Sequence, residues 1–378
     1  MLRVPQFVER LEPYEPGWMA DKTVVDGIGL GRPNLYLASN ENAAGCSPAA
    51  LQAIRCQQVL HRYPHSGRSI RHKLAEVLSL SARNIVVGNG SDSIIGTAIR
   101  TFGQRGDQVL TSESTFPSFG IQARALGISV RTVPYKSWCF DLDALAAALT
   151  PATKIVYLPN PNNPTGTMFT DEEFRTFHKR VSDSTLVILD QAYFEYAVED
   201  AGYPRSPYLD CENVLTLRTF SKAYGLAGLR LGYGLAPQRL IDQLRKIQLP
   251  FDSNCLAEAA AVAALDDQDF ISTTVSANRR NRALAMNKLR QLEYTVVPST
   301  ANFVMVVLSS AAEGSFLTSE LGKRGIVVRW LRSFGLPQCI RITIGSSEEM
   351  DACLREMAAL RPLLAQECLV RDERCERK

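Results

Sequence analysis

The sequence has no apolar run of membrane-spanning length, no excess of one charge, few histidines and no paired-cysteine motif. Each shortage excludes a class of function. The most apolar stretch, Cys255 to Leu265, is interrupted by Glu258, and residues 1–10 hold no continuous apolar core of the kind a signal peptide carries. A cytoplasmic protein with no membrane partner is therefore expected. The 42 Lys+Arg and 39 Asp+Glu residues leave a net charge of +3 without long single-sign runs, so nucleic acid is not an expected partner. The mixed-charge tail over 371–378 reads as a solvated end. Nine cysteines, an odd number, are scattered with no Cys-x-x-Cys spacing, and three of the four histidines, His61, His65 and His72, have no cysteine or carboxylate spacing beside them. Reduced thiols are expected, with neither a disulfide framework nor a metal site.

What the chain does have is length and alternation. Its 378 residues, 46% of them hydrophobic, exceed the roughly 100–200 residues of a usual domain and predict two. Short β-rich apolar runs recur at 84–87, 108–110, 130–133, 154–158, 186–189 and 214–217, with helix patterns such as 94–100 between them. This alternation predicts an α/β fold, with a mainly parallel central sheet sandwiched by helices. After about residue 265 the pattern changes to a helix over 277–292, strands at 303–307, 326–328 and 340–343, and a final helix from 348 to about 364. That is the pattern of a smaller α+β domain. The expected division is an N-terminal arm over 1–35, a large domain over 36–265 and a small domain over 266–378.

Parallel sheets bind ligands beyond the carboxyl ends of their strands, so the residues that follow each strand are the candidates. Gly88-Asn89-Gly90-Ser91-Asp92-Ser93 combines glycines that permit close backbone approach with Ser91 or Asp92 as helix N-cap. Its first-turn amides could face a phosphate, although a plain turn and cap fits this motif alone equally well. Pro159-Asn160-Pro161-Asn162-Asn163-Pro164-Thr165-Gly166 is turn chemistry at unusual density. Asn163 could donate its amide to a ligand oxygen, and Asn163-Pro164 is a candidate cis peptide that would aim it. Asp190-Gln191-Ala192-Tyr193 puts a carboxylate at a strand end and a phenol three residues on. The run from Arg218 through Thr219, Ser221 and Lys222 to Arg230 adds hydroxyls, one lysine and a glycine-spaced arginine. Gly27-Ile28-Gly29-Leu30-Gly31 lacks a preceding buried strand and precedes Arg32-Pro33, so it reads as a loop and not as a dinucleotide fingerprint.

Singly, Lys222 reads as a surface lysine, Asp190 as a cap and Tyr193 as core. Together the strand ends offer groups that match pyridoxal 5′-phosphate one by one. A desolvated lysine amine, Lys222, would form an imine with the aldehyde. A buried carboxylate, Asp190, would keep the pyridine nitrogen protonated. Tyr193 and Asn163 would hydrogen-bond the ring hydroxyl oxygen. Ser91, Asp92, Thr219, Ser221 and Arg230 would hold the phosphate, and Phe116 could stack on the ring.

With these residues in place the chain resembles the fold-type I aminotransferases and, within them, is similar to the histidinol-phosphate aminotransferases. The matching segments run from 11–17 through Ala38-Ser39-Asn40-Glu41-Asn42, Arg62-Tyr63-Pro64, 88–92, 160–166, 190–193 and 218–230 to 298–303 and 341–345. The resemblance covers nearly the whole chain in order. It implies that Lys222 also carries protons during transamination, and that Tyr63 reaches the cofactor phosphate of a neighbouring subunit in a homodimer with shared sites. The arm over 1–35 would pack on the small domain and on that subunit. Arg341 would bind the substrate carboxylate through a bidentate contact, while Asn42, Arg329 and Tyr14 would contact the rest of the substrate. The implied reaction is ping-pong exchange between histidinol phosphate and 2-oxoglutarate. An aromatic or specialised-metabolism aminotransferase and a phospho-amino-acid decarboxylase share the same fold and cofactor residues. A non-catalytic sensor is not expected, because the pattern begins by Tyr14 and Asp190, Tyr193 and Lys222 are all present. The chain departs from the family pattern at Gln191 for glutamate, Ser93 for an acidic residue, Phe116 for tyrosine, and Ala43-Ala44-Gly45-Cys46 for a proline-containing stretch.

Overall fold

In the computed structural model, the structure describes residues 3–14 and 35–375, with side chains to residue 364. The glycine run at 27–31, most of the expected arm and the charged tail lie outside the described residues or their side chains. The chain divides into two compact units. The first holds the residues up to Tyr14, Ala44–Asn163 and Thr167–Val275, and the second holds 35–43, Pro164–Gly166 and the chain from Ser276. The sequence placed the break at 265/266; it falls at Val275/Ser276, inside the helix Gln268–Gln291.

The first unit is built on a seven-stranded sheet of order β2-β8-β7-β6-β5-β3-β4. Its strands are β2 (Ile85–Gly88), β3 (Gln108–Ser112), β4 (Ser129–Val133), β5 (Thr153–Pro159), β6 (Leu186–Asp190), β7 (Val214–Thr219) and β8 (Gly232–Leu235). β3 to β7 run parallel, and β8 is antiparallel to both β7 and β2. The central strands β6 and β7 are buried along their whole length, and β6 accordingly reads as an apolar run without alternation up to Asp190, while β7 also buries Thr216, Arg218 and Thr219. One face packs Ile94, Ile95 and Ile99 of the helix Ser91–Phe102 and Leu240, Ile241 and Leu244 of the helix Gln238–Ile247. The other packs Phe174 and Phe177 of the helix Asp171–His178. That helix starts in a capping box, Thr170 with Glu173. The register pairs Pro159 with Asp190 and Asp190 with Leu217, so β5 and β6 end at one level and β7 runs two residues further to Thr219.

The second unit is a five-stranded sheet of order β1-β11-β12-β10-β9, comprising β1 (Leu35–Leu37), β9 (Thr295–Val297), β10 (Phe303–Val307), β11 (Ile326–Trp330) and β12 (Cys339–Thr343). β1 is parallel to β11 and the remaining pairs are antiparallel. Leu317 and Leu321 of the helix Ala311–Lys323 and Met350, Met357 and Leu360 of the helix Ser347–Cys375 close its core. Among the described residues no helix is long and apolar enough to cross a membrane.

Candidate active site

The turn after β2 makes a cradle that only glycine backbone can line. Gly90 has φ +76° and a Cβ there would meet Arg230 Nη2 at 2.8 Å. A Cβ on Gly232 would run into the Ser91 nitrogen and stand 2.8 Å from the Gly90 carbonyl carbon. Gly90 is therefore the N-cap, and Ser91 is the first helical residue; the expected capping by Ser91 or Asp92 does not occur. No side chain caps this helix, which leaves first-turn amides and the positive end of the helix for an anion. Arg230 Nη1 donates to Ser221 Oγ at 3.4 Å and Nη2 lies 3.9 Å from Asp92 Oδ2. Thr219 Oγ1 accepts from the Ser221 amide at 3.1 Å. Ser91, Asp92, Thr219, Ser221 and Arg230 thus form one group around the cradle.

Asp190, at the end of β6, is buried. Its Oδ2 accepts from Tyr157 Oη at 2.7 Å and its Oδ1 from the Ala192 amide at 3.1 Å. Burial pushes its carboxyl up to about 6, with the Asp92 charge adding to the rise, against the lowering by Tyr157, by the Ala192 amide and by Lys222. Lys222 Nζ stands 5.7 Å from the centroid of the buried Tyr193 ring. On the neighbouring loop the Asn162 side chain accepts from Thr115 Oγ1 at 2.8 Å and donates to Tyr135 Oη at 2.9 Å, and Tyr135 donates to the Ser114 carbonyl. These bonds tie the segment bearing Phe116 to the segment bearing Asn163. Tyr14 meets the Phe116 ring edge-on with centroids 6.2 Å apart.

The cis peptide is Asn160-Pro161, not Asn163-Pro164. Asn160 is the pinned position of this turn. Its amide donates to the Asp190 carbonyl, its side chain pairs with the Phe169 backbone in both directions, and its carbonyl accepts from Tyr203 Oη. Two departures from the family pattern also have a structural account. Gln191 Oε1 accepts from Arg218 Nε at 3.1 Å, while Arg218 stacks 3.3 Å over Phe194. Ser93 Oγ donates to Asp252 Oδ2 at 2.8 Å, so the acid absent at position 93 is supplied from position 252.

Tyr63 lies on the chain between β1 and β2. It is 77% exposed and stacks on Phe251 with centroids 4.4 Å apart. Together with Arg62 and His65 it lines a groove of about 450 Å³. Among the described residues no cluster of His, Cys, Asp or Glu could hold a metal ion.

In the second unit, Arg329 on β11 and Arg341 on β12 are register partners and both are buried. Arg341 Nη2 donates to the Ala38 carbonyl at 2.6 Å, and its guanidinium lies 5.3 Å from the Phe303 ring. Arg329 Nη2 donates to Ser333 Oγ at 2.9 Å. Asn302, which the sequence reading gave no role, holds the segment leading to Asn42 by donating to the carbonyls of Asn40 and Glu41. Tyr157 was likewise missed, because a tyrosine inside an apolar strand looks like core.

A seven-stranded, mostly parallel α/β unit with a lysine, a phenol and a buried carboxylate at its strand ends is the fold of the fold-type I enzymes, and the same chain carries an α+β unit with two buried arginines paired in register. Residues 32–357 match the family model "Aminotransferase class I and II", and the chain belongs to that family: it is an aminotransferase. It is 38% identical over 354 residues to histidinol-phosphate aminotransferase 2 of Pseudomonas aeruginosa, covering 93% of this chain and 95% of that protein. It is 37% identical to the histidinol-phosphate aminotransferase of Halalkalibacterium halodurans, covering 96% and 97%. Among solved structures, histidinol-phosphate aminotransferase from Sinorhizobium meliloti in complex with pyridoxal-5′-phosphate superposes with a TM-score of 0.87 at 31% identity, covering 97% of this chain and 99% of that one. Aspartate aminotransferase from Thermus thermophilus shares the fold, with a TM-score of 0.84 at 21% identity.

Proposed function

We propose that this protein is a pyridoxal 5′-phosphate-dependent histidinol-phosphate:2-oxoglutarate aminotransferase of the cytoplasm, working by ping-pong exchange as a homodimer. The observation that carries the cofactor assignment is the pairing of the glycine-lined cradle with a buried carboxylate whose ionisation is finely balanced. The cradle, crowded against any Cβ at Gly90 and Gly232 and flanked by Ser221 and Arg230, offers the amide, hydroxyl and guanidinium donors a phosphate needs. A buried aspartate costs free energy unless a cation meets it, and a protonated ring nitrogen is such a cation.

The cofactor, when bound, supplies an electron sink for the carbanion formed at the substrate carbon. The chain supplies the rest. Lys222 Nζ would hold the cofactor covalently and then move the proton between the two carbons that exchange it. Asp190 would hold the ring nitrogen in its protonated form. Tyr193 and Asn163 would orient the ring through its hydroxyl oxygen, and Phe116 would cover one face. Arg341 would take the carboxylate of the amino-acid partner, and Arg329, Asn42 and Tyr14 the remainder of the substrate. Histidinol phosphate as donor is supported by the relatives of that name, which match more than nine-tenths of the chain. The homodimer is supported by exposed apolar side chains in the first unit, among them Val59 and Tyr63 lining one groove and Phe251 stacked on Tyr63.

The test is the visible absorption of the purified protein before and after adding histidinol phosphate with no keto acid present. A yellow protein that bleaches to the amine form supports both cofactor and donor. A yellow protein that does not respond removes histidinol phosphate and turns the search to aromatic amino acids, with carbon dioxide release marking a decarboxylase. A protein that cannot be reconstituted to yellow removes the cofactor assignment itself.

A further inference from the structure

Tyr157 contributes something to the site that a core residue does not. It lies on β5 two residues before Pro159 and is fully buried, with its ring stacked on Phe119 at 4.4 Å and 12°. Its hydroxyl nevertheless ends on a carboxylate oxygen, 2.7 Å from Asp190 Oδ2. Burial, and next the Asp190 charge, push the phenol well above its ordinary value, so the hydroxyl keeps its proton and donates. The other oxygen of Asp190 has the Ala192 amide, a longer bond at 3.1 Å to a neutral donor in the same turn. The remaining charged or titratable groups that act on Asp190 or share its surroundings are Asp92 from the helix Ser91–Phe102, Lys222 from the turn after β7, and the phenols of Tyr193 and Tyr203.

We propose that Tyr157 is a positioning residue for transamination: its hydroxyl holds Asp190 in the orientation and the ionised state in which the carboxylate meets the protonated ring nitrogen of the cofactor. The proposal rests on the cofactor reading above. Its physical basis is that a fully desolvated carboxylate with one weak donor drifts toward its neutral acid, and a neutral acid cannot hold a proton on the ring. The β5–β6 register gives the bond its fixed length, because Tyr157 pairs with Ile188, two residues before Asp190 and on the same face.

Tyr157→Phe removes one oxygen and keeps the ring stack. The measurement is the dissociation constant of pyridoxal 5′-phosphate for the full-length protein from pH 5 to 9, followed by absorbance, together with the thermal midpoint and steady-state kinetics. The wild type should lose affinity as pH falls through the Asp190 titration. In Tyr157→Phe that loss should begin about one to two pH units higher, the size expected for removing a hydrogen bond to a charged group. At neutral pH kcat should fall about tenfold or more while KM changes little, the pattern of an interaction that matters in the transition state. A titration and kcat that match the wild type overturn the proposal. Because the phosphate of the cofactor titrates identically in both proteins, the difference belongs to the protein.

A second variant guards against misfolding. With 3-fluorotyrosine installed at position 157 the hydroxyl is more acidic and donates more strongly, so the titration should move down. A shift upward there would show that packing, not the hydrogen bond, is responsible and would also overturn the proposal. A wild-type protein that binds no cofactor would remove the cofactor reading, and this proposal with it, whereas wild-type binding with an indifferent Tyr157→Phe removes the proposal alone.

Discussion

At Asp190, function and stability pull in opposite directions. An aspartate whose carboxyl moves from 3.8 to about 6 on folding binds its proton more tightly in the folded chain than in the unfolded one. Between those values the unfolded state carries fewer protons, so stability falls as pH rises from about 4 to about 6 and stays lowered above it. The displacement of roughly two pH units corresponds to an upper bound of roughly 3 kcal/mol. Asp190→Asn removes this cost and keeps an oxygen for Tyr157 Oη. In the cofactor-free protein the variant should therefore melt a few degrees above the wild type at pH 7.5, with the difference shrinking as pH falls and vanishing only below the unfolded value of 3.8. In the loaded enzyme the same change should lower turnover by about 10²–10⁴-fold, the usual scale for losing a proton-holding or charge-stabilising group. Melting curves that run parallel across the whole pH range would show that Asp190 bears no buried charge.

Among the elements, β8 shows how backbone proximity builds the cradle. Gly232 on β8 lies against the Gly90–Ser91 peptide, and every atom its Cβ would meet is backbone, which cannot rotate away. Gly232→Ala should weaken cofactor binding at least about tenfold by displacing the first-turn amides. Gly228→Ala, where nothing lies within 4 Å, should leave both affinity and melting unchanged. Cofactor affinity measured for the pair separates a local clash from a general intolerance of alanine in this segment. The same strand marks the limit of the sequence reading. The buried strands β3, β5, β6 and β7 were legible as continuous β-branched and leucine runs, and so were the Asp190, Lys222 and Arg230 positions at strand ends. β8, Gly232-Tyr233-Gly234-Leu235, carries neither signal, because Gly232 answers to the neighbouring turn and Gly234 to the side chains of Val86, Leu215 and Leu217 packed over it. The helix Gln268–Gln291 begins well before the expected 277: Phe270, Ile271 and Val275 of its first turns pack on the core of the first unit, but the β-branched and hydroxyl residues Ser272-Thr273-Thr274 between them weaken the helix signal. Tyr157 and Asn302 were invisible as site residues because their roles depend on partners 33 and 262 positions away in sequence.

For the whole molecule, the placement of Tyr63 decides how many chains make one active site. Within one chain this residue is mostly exposed, rests on Phe251 and shares a groove with Val59, which is also exposed. Large apolar side chains held together at the surface are what an interface requires, and an interface between identical chains uses the same patch on both. If Tyr63 serves the phosphate of the neighbouring subunit, a site defective in Lys222 and a site defective in Tyr63 fail for reasons that lie on different chains. Purified Lys222→Ala and Tyr63→Ala variants should each have little activity. Mixed at equal amounts under conditions of subunit exchange, half of the dimers become hybrids, and each hybrid has one site with both residues intact. Activity should then rise to about one quarter of the wild-type value. A mixture that stays as inactive as its components, while mass measurements show that the subunits have exchanged, would place Tyr63 and Lys222 in the service of the same chain's site. A protein that remains a monomer at working concentration would remove the shared site altogether, and the exposed Tyr63–Phe251 stack would need a different occupant.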